Sequence, residues 1–213
     1  KKKPFFIVFE GVEGCGKSYQ SKRLKKNLKK KGINSLLTRE PGGTRSAESI
    51  RTLILKDYFN KKKQEKFDRY TDTLLYLAAR NEHIKNKIKP ALEKKRVVIC
   101  DRFIDSTLAY QVYGKQVNRY FIDHIHKFIL QGIKPNITFI LKVSPRSSKL
   151  RLKKRRTKNR YDNFSQSFYT KAQKSFLKIA RNKKNYFVLD SSLNSTDLEK
   201  KIFKIICKYL KVR

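Results

Sequence analysis

Near the start of the chain, Gly11-Val12-Glu13-Gly14-Cys15-Gly16-Lys17-Ser18 has the spacing G-x-x-x-x-G-K-S. Glycines at these places let backbone N–H groups curl around phosphate oxygens, and a helix that starts at Lys17 adds the positive end of its dipole. In such a loop the lysine bridges the β- and γ-phosphates of a nucleoside triphosphate, and the serine hydroxyl ligates Mg²⁺. The alternative is a glycine turn with no ligand. An apolar run just before the loop and a helical period just after it argue against that. The loop alone does not separate an NTPase from a kinase. An N-K-x-D element for reading guanine is absent. A second site is therefore required.

Four further clusters could supply it. Thr38-Arg39-Glu40-Pro41-Gly42-Gly43-Thr44 follows an apolar run, with Arg51 on the next helical stretch. Tyr76 and Arg80 are four residues apart, so an aromatic ring and a guanidinium share one side of a helix. Val97–Cys100 is an apolar run that ends in Asp101-Arg102, and Asp105-Ser106-Thr107-Leu108-Ala109-Tyr110-Gln111 comes soon after. Two anionic phosphates can be brought together only with counter-charge, which arginines supply in forked geometry. An acid at a strand end, Asp101, suits Mg²⁺ held through water. Taken singly, each cluster also has a plain reading: Asp101–Arg102 as an ion pair closing a strand, Tyr76 and Tyr110 as core aromatics. The basic run Lys149–Arg160 reads as solvated charge, a nucleic-acid contact or a mobile loop.

These residues need a frame. Apolar runs predict strands over Phe5–Phe9, Ile33–Thr38, Arg96–Cys100, Ile137–Val143 and Tyr186–Leu189. Between them, helices are expected over Lys17–Lys31, Ala47–Phe59, Asp68–Ile88, Val117–Leu130, Phe164–Arg181 and Thr196–Leu210. Strands alternating with helices predict an α/β fold, a parallel sheet covered on both faces, with ligands beyond the carboxyl ends of the strands. No repeat and no Pro/Gly/Ser-rich linker divides the sequence, so one domain is expected over residues 1–213.

Composition bounds the function classes. The 213 residues carry 54 Lys+Arg against 17 Asp+Glu, a net charge of +37, yet 38% are hydrophobic, enough for a core. Only 16 of the basic residues are Arg and the lysines are spread throughout, which reads as solvated faces rather than a nucleic-acid stripe. No apolar stretch approaches the ~20 residues that span a bilayer, and the run after Lys1-Lys2-Lys3 is too short and too soon acidic for a signal peptide. A soluble, cytoplasmic protein with no membrane partner is expected. Cys15, Cys100 and Cys207 have no metal-ligand spacing, and His83, His124 and His126 form no recognisable site, so surface or structural roles are expected for them.

Taken in order, "EGVEGCGKS", "TREPGGT", "ESIR", "LLYLAAR", "CDRFIDSTLAYQ" and "NRYD" resemble the thymidylate kinase family from Phe5 to about Leu210. The resemblance implies a P-loop nucleoside-monophosphate-kinase fold: a five-stranded parallel sheet flanked by helices, with a basic lid at about residues 146–162. It implies ATP and dTMP as substrates, Mg²⁺ as cofactor and a homodimer. Gly11, Glu13, Gly14, Cys15, Gly16, Lys17 and Ser18 would surround the ATP phosphates, with Ser18 and Asp101 at the metal. Tyr76 stands where the family has a Phe stacked on thymine, Arg80 would donate to thymine O4, and Thr107 and Gln111 would bind the remaining edge. Tyr110 is similar to a residue near the sugar, Glu13 to an acid near the 3′-hydroxyl, and Arg51 and Arg102, aided by Arg39, would hold the dTMP phosphate. The family places its catalytic arginine either in the phosphate loop or in the lid. Gly14 occupies the loop position, so the lid candidates Arg151, Arg155 and Arg160 would act together with Lys17 and Arg102. Asn159 departs from the family's frequent Asp.

Overall fold

The computed structural model describes residues 3–55, 66–154, 165–192 and 194–212. Five strands, β1 (Phe5–Glu10), β2 (Ser35–Arg39), β3 (Val97–Asp101), β4 (Ile137–Lys142) and β5 (Tyr186–Asp190), form one sheet in the order β2-β3-β1-β4-β5. Every pairing is parallel. The fold class expected from the sequence is the one found.

Alternation along the central strands divides the core in two. Ile7 and Phe9 of β1 and Ile99 of β3 face helices α1 (Lys17–Lys30), α8 (Gln166–Ala180) and α9 (Ser195–Leu210), packing with Leu24, Phe176 and Ile202. Phe6, Val8, Val98 and Cys100 face the other way, onto Ile84, Ile88 and Phe103. Strands buried on both sides need apolar residues at nearly every position, hence the continuous runs in the sequence. Each such Phe or Ile contributes about 1.5–3 kcal/mol by leaving water.

The register aims the chemistry. Arg39 pairs with Asp101, and Asp101 with Phe9, so three loops leave the sheet side by side at its carboxyl edge. These loops carry the glycine-rich segment, "EPGGT" and Arg102.

The helices depart from expectation in three places. The expected Asp68–Ile88 helix is α3 (Arg69–His83), then a π-helical turn at Ile84–Ile88, then α4 (Lys89–Glu93). Pro90 lacks an N–H and its ring crowds the carbonyl four residues back, and the hydrogen-bond register slips there. A short helix, α5 (Ile104–Thr107), runs into a second π-helical turn at Leu108–Val112, where no helix was predicted. The basic run, expected as a loop, begins inside α7 (Pro145–Lys153), capped by the Ser144 side chain accepting from the Ser147 N–H. Among the described residues the remaining helices are α2 (Arg45–Leu55) and α6 (Arg119–Leu130); the end of the helix expected to run to Phe59 lies outside the described residues. Among the described residues no helix is long and apolar enough to cross a membrane.

Candidate active site

The glycine-rich segment joins β1 to α1 as its spacing predicts. Gly11 has φ +136, and a Cβ there would meet the Leu141 carbonyl oxygen at 2.5 Å. Gly14 has φ +71, and a Cβ there would sit 2.8 Å from the Ser148 carbonyl oxygen in α7. A side chain at position 14, arginine included, cannot enter without displacing α7. Helix α1 opens with no acidic residue in its first turn and no side-chain cap, so its first N–H groups are left for an anion. Lys17 Nζ donates to the carbonyls of Gly11 (2.9 Å) and Val12 (2.8 Å) and lies 3.4 Å from Cys15 Sγ. Its ammonium is thus held by the loop's own oxygens.

Around the loop stand the arginines. Arg102, at φ +73, donates from Nη1 to Gly11 O (2.9 Å) and Ser106 Oγ (3.0 Å), and from Nη2 to Glu13 (2.6 Å). Burial opposes the Glu13 charge, but Arg102 and then Lys17 outweigh it and hold the carboxyl below its usual range. The Tyr110 hydroxyl donates to the other Glu13 oxygen at 2.5 Å, and the Arg102 guanidinium lies 5.2 Å from the Tyr110 ring centre. Behind them Glu10, fully buried, accepts from the Phe103 N–H (2.8 Å), the Ser106 N–H (3.2 Å) and the Ser106 hydroxyl (2.5 Å). Glu10 thereby fixes the turn that carries Arg102. Burial, reinforced by Asp105, pushes its carboxyl up to about 7.

Glu48 organises the next pair. It accepts both 2.9 Å bonds from Arg39 and one of 2.8 Å from the Gly43 N–H, while Arg51 donates to the Pro41 carbonyl at 2.6 Å. Burial, with Arg39 adding, lowers the Arg51 pKa. From α7, Arg151 donates to Gly14 O (3.2 Å) and Ser191 O (2.6 Å), which brings one of the three arginines expected in the lid onto the glycine-rich loop. Arg155 and Arg160 lie outside the described residues.

At the other end, Arg80 is the most enclosed Arg or Lys among the described residues, with 3% of its surface exposed. Its Nε donates to Glu40 (2.8 Å), Nη1 to Thr107 Oγ1 (2.9 Å) and His126 Nε2 (2.9 Å), and Nη2 to Phe103 O (2.9 Å). Glu40 also faces His83 Nδ1 at 3.1 Å, and His83 Nε2 meets Thr38 Oγ1 at 2.6 Å. Burial opposes ionisation of Glu40, but Arg80 and His83 overcome it and lower its pKa. Of the histidines expected in surface or structural roles, His83 and His126 are buried and brace the Arg80–Glu40 pair. Gln111 is 1% exposed, and its Nε2 has no hydrogen-bond partner among the described residues.

One cavity of about 490 Å³ joins the two ends, within the range of small-molecule sites. It is lined by Glu13, Gly14, Gly16, Lys17, Ser18, Arg39, Arg51, Tyr76, Arg80, Asp101, Arg102, Thr107, Tyr110, Gln111 and Arg151. Gly11 and Cys15 are buried behind its wall. Glu10, Glu40, Glu48, His83, His126 and Ser106 were not assigned from the sequence. Glu10, Glu40, Glu48 and Ser106 stood inside the quoted motifs, but Glu10, Glu40, His83 and His126 take their roles from partners far away in the chain.

A divalent cation fits one point of this cavity. Ser18 Oγ donates to Asp101 Oδ2 at 2.5 Å, a hydroxyl and a carboxylate beside the lysine of the loop. Mg²⁺ typically takes only one or two protein oxygens and completes its shell with water and phosphate. Among the described residues no cluster of three acidic, His or Cys side chains competes for it.

A parallel sheet with a phosphate loop at its carboxyl edge, and a second pocket across the same cavity, define a P-loop nucleotide kinase. Comparison with known proteins makes the class specific. The sequence profile of the family described as Thymidylate kinase matches residues 9–202. Thymidylate kinase of a Sulfurihydrogenibium species is 38% identical over 210 residues, covering 98% of each chain. That of Aster yellows witches'-broom phytoplasma is 40% identical over 210 residues, covering 97% of this chain and 96% of its own. The crystal structure of thymidylate kinase from Ehrlichia chaffeensis matches with a TM-score of 0.76 at 32% identity, over 96% of this chain and 99% of that one. The chain belongs to the thymidylate kinase family.

Proposed function

We infer that the protein transfers the γ-phosphate of Mg-ATP to dTMP, giving dTDP and ADP on the route to dTTP. A dTMP phosphate oxygen attacks the γ-phosphorus in line, a new P–O bond forms, and the bond to the β-phosphate oxygen breaks. The attacking oxygen is already ionised near neutral pH, so no general base is required. Lys17 and the first N–H groups of α1 hold the ATP phosphates. Ser18 and Asp101 would hold Mg²⁺, which when bound neutralises charge shared between phosphate oxygens. Arg51 and Arg102, with Arg39 steadied by Glu48, bind the dTMP phosphate. Arg151, with Arg155 and Arg160, supplies positive charge to the transferring group from a lid at about residues 146–162 of a single P-loop domain.

At the base end Tyr76 offers a stacking face. Thr107 Oγ1 already accepts from Arg80, which leaves its hydroxyl hydrogen to donate. The observation that carries the reading is this: a phosphate cradle shares one cavity with buried donors, Arg80 and Gln111, that suit the carbonyl oxygens of thymine. Cytosine presents an amino group where thymine presents O4. ADP release measured with dTMP, dUMP, dCMP, dGMP, AMP and thymidine in turn tests it. Preference for dTMP, with dUMP second, is expected; turnover of another monophosphate in its place would overturn the base assignment.

The protein acts in the cytoplasm as a homodimer. Helices α2, α3 and α6 support the latter: they carry six basic and four acidic residues in a chain of net charge +37. They also expose Leu53, Leu74, Tyr120 (73%) and Phe128 (68%). Light scattering of wild type and Phe128→Lys tests this: a dimer for the first and a shift toward monomer for the second are expected.

A further inference from the structure

Arg80 anchors the base end, and its hydrogen bonds can be counted. A guanidinium has five N–H donors and no acceptor. Four are taken by Glu40, Thr107, His126 and the Phe103 carbonyl, and the fifth, on Nη2, has no partner among the described residues. Because Arg80 can only donate, His126 Nε2 must accept, so its imidazole is neutral with the proton on Nδ1. His126 is 5% exposed, so no solvent replaces it as acceptor. Burial and the adjacent Arg80 charge push its pKa down to about 3, so this state persists throughout the physiological range.

We propose that His126 is a positioning residue for base selection: by taking one Nη1 hydrogen it locks the Arg80 guanidinium so that a single N–H is left for the pyrimidine O4. The inference rests on the dTMP kinase reading. The lock has three sides. Glu40 fixes the guanidinium at Nε, Phe103 O fixes it at Nη2, and Thr107 with His126 consumes Nη1. Without the His126 acceptor, one Nη1 hydrogen loses its partner inside the protein. The guanidinium can then turn that donor toward the base and sacrifice the alignment that favours a carbonyl over an amino group. His126 touches no substrate in this arrangement and acts only through Arg80.

The test compares wild type, His126→Leu and His126→Gln in steady-state kinetics with dTMP and dCMP, following the KM for ATP in parallel. Gln keeps an acceptor near the Nε2 position, and Leu removes it. For His126→Leu, KM for dTMP should rise about tenfold or more, as expected for losing a hydrogen bond to a charged group. Its kcat and its KM for ATP should change by less than about threefold, and its preference for dTMP over dCMP should narrow. His126→Gln should restore both KM and preference. Retained KM and preference in a folded His126→Leu, equal damage in both variants, or a general loss that includes the KM for ATP would each overturn the proposal. ¹⁵N NMR of the wild-type imidazole gives a readout that needs no variant: Nε2 bare and Nδ1 protonated at neutral pH, against a protonated Nε2 that would refute the lock. A wild type with no preference for dTMP would instead remove the functional reading itself.

Discussion

The two ends of the cavity hold positive charge in opposite ways. At the phosphate end Lys17, Arg51 and Arg151 rest on backbone carbonyls, those of Gly11, Val12, Pro41, Gly14 and Ser191. At the base end Arg80 is bound to an ionised, buried Glu40 and three further acceptors. A neutral carbonyl gives up a cation to phosphate readily, because an anionic oxygen adds a charge–charge attraction that the carbonyl does not offer. A buried ion pair cannot be exchanged so cheaply, since separating it leaves a charge in low dielectric. On the proposed function, charge that has to move with the reaction is parked, and charge that recognises is fixed. Arg102 and Arg39 stand between these cases, Arg102 tied to Gly11 O on one side and to Glu13 on the other, and Arg39 held by the partly exposed Glu48 carboxylate.

Substitutions can break this contrast. The largest effect expected is on turnover: Lys17→Ala should lower kcat by roughly 10²–10³-fold or more, the scale of removing a preorganised group from a transition state. Steady-state ADP release checks it, and intact turnover would remove the phosphate-loop assignment. Next, Arg80→Leu should cost about 3–5 kcal/mol of folding stability, because Glu40 is left buried without its guanidinium partner, with only His83 beside it. Denaturant unfolding measures this, and a loss below about 1 kcal/mol would mean that the base end is no more fixed than the other. Arg151→Ala should do the reverse. The exposed side chain can leave with a stability change within about 0.5 kcal/mol, while kcat falls about 10–100-fold.

The smallest effect concerns pH. The Glu10 carboxyl has an ordinary value of 4.5 and is raised to about 7 in the folded protein. Between those values the folded state binds more protons than the unfolded one, so this group's contribution to stability falls as pH rises. The Tm of wild type minus that of Glu10→Gln should therefore decline from pH 4.5 to pH 7.5. A flat or rising difference would refute the raised value.

The sheet was legible because its central strands β1, β3 and β4 are buried on both faces and so stand out as apolar runs, and the edge strands β2 and β5, though only partly buried, carry apolar residues as well; the strand ends shift by only a residue or two. The phosphate loop was legible because its chemistry is local, eight consecutive residues between a strand and a helix. Tyr76 and Arg80 were legible as one helix face, but not the company Arg80 keeps. Glu40, Phe103, Thr107 and His126 reach it from 40, 23, 27 and 46 residues away, distances at which spacing carries no signal. Helix α7 was hidden by its lysines and arginines, although Ser144-Pro145, a capping serine before a proline, marks its start. Pro90 marks the first π-helical turn, but the second, which carries Tyr110 and Gln111 into the cavity, has no proline to mark it.

The most direct test is a crystal structure with dTMP and a non-hydrolysable ATP analogue bound together. Lys17 and Arg151 should have left the carbonyls of Gly11, Val12 and Gly14 for phosphate oxygens, while Arg80 keeps Glu40, Thr107, His126 and Phe103 and adds one bond to the base. Lysine and arginine still on their carbonyls, or an Arg80 released from Glu40 to reach the base, would contradict the division between parked and fixed charge.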